Sequence, residues 1–128
     1  IVKGKFEEQS GTLTYTLGKE KGIRGRSVTV DGQNCITNYE VIIEGNFFSL
    51  IKVHIETGRL HQIRAGMAYF GHPLIGDRLY GGSMHAMKRP ALHCWKVEFI
   101  HPKTKKQIKI ECKLPDDMQR VVDKLQEK

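Results

Sequence analysis

Hydrophobic positions along this 128-residue chain switch between periods of two and of three to four, and each switch marks a change of element. From Thr12 to Leu17 they alternate weakly, which predicts a short strand. Gly18 to Gln33, "GKEKGIRGRSVTVDGQ", is glycine-rich and basic and predicts a mobile loop holding a short extended piece. Cys35 to Ile43 and Phe47 to Ile55 are dense in β-branched and aromatic residues, with Glu44-Gly45-Asn46 as the hairpin turn between them. The period then lengthens. A short helix is predicted from an entry at Thr57-Gly58 to a stop at Gly71, with Leu60, Ile63, Met67 and Phe70 as its apolar stripe and Ala68 at the edge. "GHPLIGDRLYGG", which follows, is too rich in Gly and Pro for regular structure.

Alternation returns in Leu92 to Ile100, with Trp95, Val97 and Phe99 on one face, and in Gln107 to Lys113, with Ile108, Ile110 and Cys112. Joined through "HPKTKK", these predict a second hairpin, half buried and half solvated. Pro115-Asp116-Asp117 opens a terminal helix, acidic at its start and basic toward its end, whose stripe is Met118, Val121, Val122 and Leu125. The fold class expected is α+β: a mixed, mainly antiparallel sheet with flanking helices in one domain spanning 1–128.

One position breaks the pattern. Arg64 falls inside the apolar arc of the first helix, between Leu60 and Met67 on one side and His61 and Ala68 on the other. A guanidinium cannot shed its proton, so burial requires a carboxylate, a phosphate or several carbonyls. Two readings follow. Arg64 reaches from the edge of the stripe to a loop carbonyl or to Asp77, or it points into a cleft and holds an anion needed for catalysis or binding.

Charge admits two readings, an anionic partner or a solubilising charge on solvated faces. The net charge is +7, yet residues 1–56 carry seven basic and seven acidic side chains. The whole excess lies in residues 57–128, with fourteen basic and seven acidic. Such a surface suits a polyanion, nucleic acid above all. Three widely separated cysteines and six scattered histidines match no metal-ligand spacing, so no metal is expected and reduced thiols fit a cytoplasmic protein. Apolar runs are only a few residues long, so no helical membrane span is expected. Around Arg64, the residues Arg59, His61 and Gln62 fall in the expected first turn, where free backbone N–H groups also favour anions. His61 reads equally as a satisfied helix-start histidine, and Gln62 projects toward the opposite, solvated side. Asp77 could cap a turn, with Tyr80 packed beneath it.

"TGRLHQIRAGMAYFGHPLIGDRLYGG" resembles the signature of RluA-type RNA pseudouridine synthases, and "LHCWKVEFIHPKTKK" is similar to a downstream strand and turn of that family. Together these blocks span Thr57 to Lys106 in the family's order. Leu60 stands where Thr or Ser is usual, Cys94 where Ala is usual, and Gly66 where His is frequent. The resemblance implies isomerisation of uridine to pseudouridine in ribosomal or transfer RNA without a cofactor. It implies that Arg64 pairs with a nucleophilic aspartate, and that Arg59, His61, Gln62, Asp77 and Tyr80 belong to the RNA-binding region.

The family's aspartate lies in a motif resembling HRLDxxTSG, upstream of the matched region. No such motif occurs in this chain, and Asp77 matches the GD of the loop instead. Ile1 to Gly4 resemble the tail of the strand that bears a base-stacking tyrosine. The chain therefore reads as the C-terminal portion of a catalytic domain, inactive by itself and monomeric. The alternative is a non-catalytic basic RNA-binding module derived from the same fold.

Overall fold

The structure, a computed structural model, describes residues 1–19 and 25–126. Three long strands form its frame: β2 (Ser10–Gly18), β4 (Gln33–Glu44) and β5 (Phe48–Ile55). Two short strands extend it, β1 (Val2–Lys3) along β5 and β3 (Ser27–Val28) along the end of β2. The order is β1-β5-β4-β2-β3, and every pairing is antiparallel. The mixed sheet expected from sequence is thus wholly antiparallel among the described residues. β3 is the extended piece foreseen within residues 18–33, while residues 20–24 of that loop lie outside the described residues.

β4 and β5 form where β-branched and aromatic residues are densest, and Gly45 N–H closes their turn by donating to Phe48 O at 2.9 Å. Their register shifts between Val41 and Ile43, a bulge that leaves Ile42 half exposed although its neighbours pack inward.

Helix α1 (Gln62–Tyr69) lies against β2 and β3, and its buried residues are Gln62, Ala65, Gly66 and Met67. That face differs from the expected stripe: Leu60 is 55% exposed and Phe70 40%. The cause is the closeness of helix and sheet. At Gly66 a Cβ would overlap the Tyr15 ring and hydroxyl, so the helix rests on β2 through its smallest residues. At its C-terminus Gly71 adopts φ +92, and N–H groups of Gly71 and His72 donate to Ala68 O and Met67 O. This reciprocal pair needs a left-handed residue and fixes the stop at glycine.

Beyond α1 the chain is irregular apart from a 3₁₀ turn at Arg78–Tyr80. Helix α2 (Asp116–Gln126) buries Met118, Val121 and Val122 against Ile1, Ile75, Met87 and Ala91, with Leu125 packed at the edge. A second cluster joins Val2, Phe6, Met67 and Leu74, and a third joins Tyr15, Leu17, Cys35 and Ala65. The Ile1 nitrogen donates to Ala91 O at 2.8 Å, Ile75 N to Ile1 O and Ala91 N to Ile75 O, which sews three distant segments together.

The second hairpin consists of β6 (Lys96–Ile100) and β7 (Gln107–Glu111), shorter than its alternation predicted. The expected half-buried face is not covered: Val97, Phe99 and Ile110 are each more than two-fifths exposed. The segment before it, with Leu92 and Trp95, faces Ile51 and Val53 of β5 across an apolar groove of about 820 Å³. Arg64 does not line that groove.

Candidate active site

The turn before α1 is built around one side chain. Gln62 Oε1 accepts from Thr57 Oγ1 (2.9 Å) and from Arg59 N (3.0 Å), while Nε2 donates to Ile36 O (3.1 Å) and Thr37 Oγ1 (2.9 Å). Both lone pairs and both N–H groups of the amide are used. Gln62 is therefore buried at 2% exposure, not on the solvated side expected from the wheel. Its clamp folds residues 57–61 into a turn, so Arg59 and His61 precede the helix and do not lie in its first turn. His61 sits at the junction with φ 56 and ψ 21, an uncommon left-handed conformation for a residue with a side chain.

That conformation places His61 beside Arg64. Arg64 meets Asp77 side-on through two parallel bonds, Nε to Oδ2 and Nη2 to Oδ1, each 2.9 Å. Asp77 is fully buried and the Arg64 side chain is 21% exposed. The hydrogen bond to Asp77 raises the Arg64 pKa further above its already high value. Nη1 approaches His61 Nε2 at 3.2 Å, and His61 Nδ1 lies 2.8 Å from the Tyr80 hydroxyl. Tyr80 also accepts from the backbone N–H of Arg26 at 2.8 Å, and its ring centroid lies 5.3 Å from the guanidinium carbon. Burial lowers the His61 pKa, as do the neighbouring Arg64 and Arg26 charges, with Asp77 opposing them.

Of the two sequence readings for Arg64, the pairing is with Asp77. The guanidinium still has capacity. Three of its five N–H groups are engaged, leaving one on each Nη without a partner among the described residues. A second oxyanion can dock there while Asp77 stays in place.

Four of the residues singled out from sequence, His61, Arg64, Asp77 and Tyr80, thus form one connected cluster. Arg59 lies exposed at its margin, with Nε donating to Asn34 O at 3.0 Å. Gln62 supports the cluster from inside. Arg26, Tyr15 and Thr37 were not foreseen. Tyr15 Oη bonds Gln62 O at 2.8 Å and Thr37 Oγ1 at 2.9 Å; the β2–β4 register brings it near Thr37, and the seating of α1 brings Gln62. Arg26 contributes a backbone N–H, for which a sequence carries no signal.

The family model for RNA pseudouridylate synthase matches residues 1–69, more than half of the chain and including Arg64. The chain is similar to the uncharacterized RNA pseudouridine synthase YjbO of Bacillus subtilis, 38% identical over 123 residues, covering 95% of this chain and 44% of that protein. It is also similar to ribosomal large subunit pseudouridine synthase D of Blochmanniella floridana, 32% identical over 139 residues, covering 95% and 43%. The chain thus spans less than half the length of these curated relatives. Among solved structures, human RNA pseudouridylate synthase domain containing 1 shares the fold, with a TM-score of 0.73 at 18% identity, covering 99% of this chain and 63% of that one.

Proposed function

Because the chain belongs to the RNA pseudouridylate synthase family, we propose that it is the C-terminal portion of a catalytic domain that isomerises uridine to pseudouridine in RNA. Ribosomal RNA is the favoured substrate, after the name of one relative, with transfer RNA the second choice. The observation that carries this reading is the side-on Arg64–Asp77 pair with two guanidinium N–H groups left over.

In this reading a nucleophilic aspartate, borne by the upstream part of the domain, seats its carboxylate on the free Nη edge of Arg64. A guanidinium at hydrogen-bond distance favours the ionised carboxylate, which is the nucleophilic form, and the two-pronged geometry orients it. Asp77 keeps Arg64 from swinging toward other anions. Arg59 and the basic surface of residues 57–128 receive RNA phosphates, so binding weakens steeply with salt. The target uridine leaves its stack to reach the site. His61 and Tyr80 shape the wall of the uridine site, Gln62 acts on RNA only through the turn it holds, and Asp77, expected from sequence to meet RNA, is fully buried and acts only through Arg64. The protein works as a cytoplasmic monomer.

A tritium-release assay on ribosomal and transfer RNA tests the proposal. The 128-residue chain alone is expected to give no turnover, and a protein in which an HRLD-like block precedes this chain is expected to be active. Turnover by the chain alone would overturn the placement of the nucleophile. Tight RNA binding by the longer protein without turnover would instead identify a non-catalytic RNA-binding module. An undiminished rate in the longer Arg64→Lys protein would refute the geometric role of the fork, since lysine keeps the charge and loses the planar donors.

A further inference from the structure

His61 is bracketed by a group that can only donate and by one that accepts a backbone proton. Arginine has no acceptor atom, so the 3.2 Å contact between Arg64 Nη1 and His61 Nε2 exists only if Nε2 is bare and accepts. The ring proton must then sit on Nδ1 and be donated to the Tyr80 hydroxyl 2.8 Å away. Tyr80 Oη receives a second proton from Arg26 N–H at 2.8 Å, so its lone pairs are filled and its own hydrogen is left over for another acceptor. One tautomer satisfies the whole chain of contacts.

We propose that His61 is a positioning residue, held neutral with its proton on Nδ1, that fixes the Nη1 end of Arg64 and so presets the guanidinium edge left free by Asp77. Asp77 anchors only the Nε–Nη2 side. Without His61, Nη1 has no partner among the described residues. The tautomer and the restraint rest on geometry alone. That the preset edge receives the nucleophilic carboxylate rests on the synthase reading above.

The arrangement is switched by protonation. An imidazolium would carry a proton on Nε2, pointing at an Arg64 N–H, and the contact would break. The charged and titratable groups facing His61 are Arg64 on α1, Asp77 and Tyr80 from the loop after it, and Arg26 beside β3. Burial, then two cations against one anion, lower the His61 pKa from its usual 6.5 and favour the neutral form.

Two-bond proton–nitrogen correlation spectra of the ¹⁵N-labelled 128-residue chain test the proposal, with His61 assigned by the loss of its signals in His61→Asn. At pH 7.5 His61 is expected as the neutral Nδ1–H tautomer, with a titration midpoint below 6.5. The Arg64 Nη hydrogens, observed in the same sample, should exchange slowly and lose that restraint with the His61 midpoint. In His61→Ala the restraint should be lost at all pH values, and His61→Gln, whose carbonyl reaches the same place, should restore it. A proton on Nε2 at pH 7.5 would overturn the inference, as would an Arg64 signal unchanged in a folded His61→Ala chain. If the variants fail to fold, the wild-type tautomer decides alone. None of these outcomes depends on turnover, so they separate this inference from the assignment of activity.

Discussion

Gly66→Ala should destabilise this protein, although the same change in an ordinary helix stabilises it. In an open helix interior, alanine gains about 0.8–1.0 kcal/mol over glycine. Here the new Cβ falls well under 3.0 Å from the Tyr15 hydroxyl, its bearing carbon and a ring edge carbon. Tyr15 cannot yield freely, because its hydroxyl is bonded to Thr37 Oγ1 and Gln62 O. Moving the ring forfeits two hydrogen bonds at roughly 1 kcal/mol each. Forcing a methyl into a packed contact adds about 1–3 kcal/mol. After subtracting the helix gain, the net cost is about 2–4 kcal/mol, or a urea midpoint lower by about 1–2 M at an m-value near 2 kcal/mol per M. Equilibrium urea unfolding followed by Trp95 fluorescence measures it. In a Tyr15→Ala background the penalty should vanish or change sign, because the obstructing ring is gone. An unchanged or raised midpoint for Gly66→Ala alone would refute the close-approach argument.

Gln62→Glu should cost about 3 kcal/mol, because a carboxylate oxygen replaces the amide donor facing Ile36 O, and amide exchange in residues 57–61 should accelerate. Arg64→Met should cost about 3 kcal/mol in urea unfolding by stranding the buried Asp77 carboxylate, and adding Asp77→Asn should recover most of that loss. Burial, with the Arg64 and Arg26 charges, lowers the His61 pKa from its usual 6.5, so near that value the folded state binds fewer protons than the unfolded state. Stability should therefore be full above pH 6.5 and decline as pH falls below it. A urea midpoint independent of pH from 8 to 5 would contradict that shift.

Elements whose residues act through local rules were legible in the sequence. β4, β5 and α2 stand within a few residues of their expected ends because β-branched density, a glycine turn and an acidic helix start determine them locally. The face of α1 was half legible: Met67 and Ile63 go inward as expected, but Leu60 and Phe70 do not, because a hydrophobicity wheel ranks side chains by apolarity, whereas this helix is also seated by size. Ala65 and Gly66 go inward because the sheet is near, and Gln62 goes inward because four partners await it. The need of Arg64 for an anion follows from its charge and position. That the anion is Asp77 does not, since it lies thirteen positions along the chain, across helix and irregular loop. His61 had the right neighbours in sequence, but its left-handed backbone and its bond to Tyr80 arise only once Gln62 has folded the turn. The exposed face of β6 and β7 was unreadable for a further reason: alternation says which residues share a face, not whether anything covers it.

The bond from Ile1 to Ala91 also imposes an order of events. Ninety positions separate its ends, and Ile75, the third member, arrives only slightly sooner. At about 5–20 residues per second, a ribosome takes about 5–18 s to deliver Ala91 after Ile1. During that interval β1, β2, β4 and β5 can pair, while Ile1 and Val2 wait for Leu74, Ile75 and Ala91 to cover them. The apolar cover over Ile1 and Val2 is thus the last part of this region to arrive, and until then a nascent chain exposes them to capture by a chaperone or by another copy of itself.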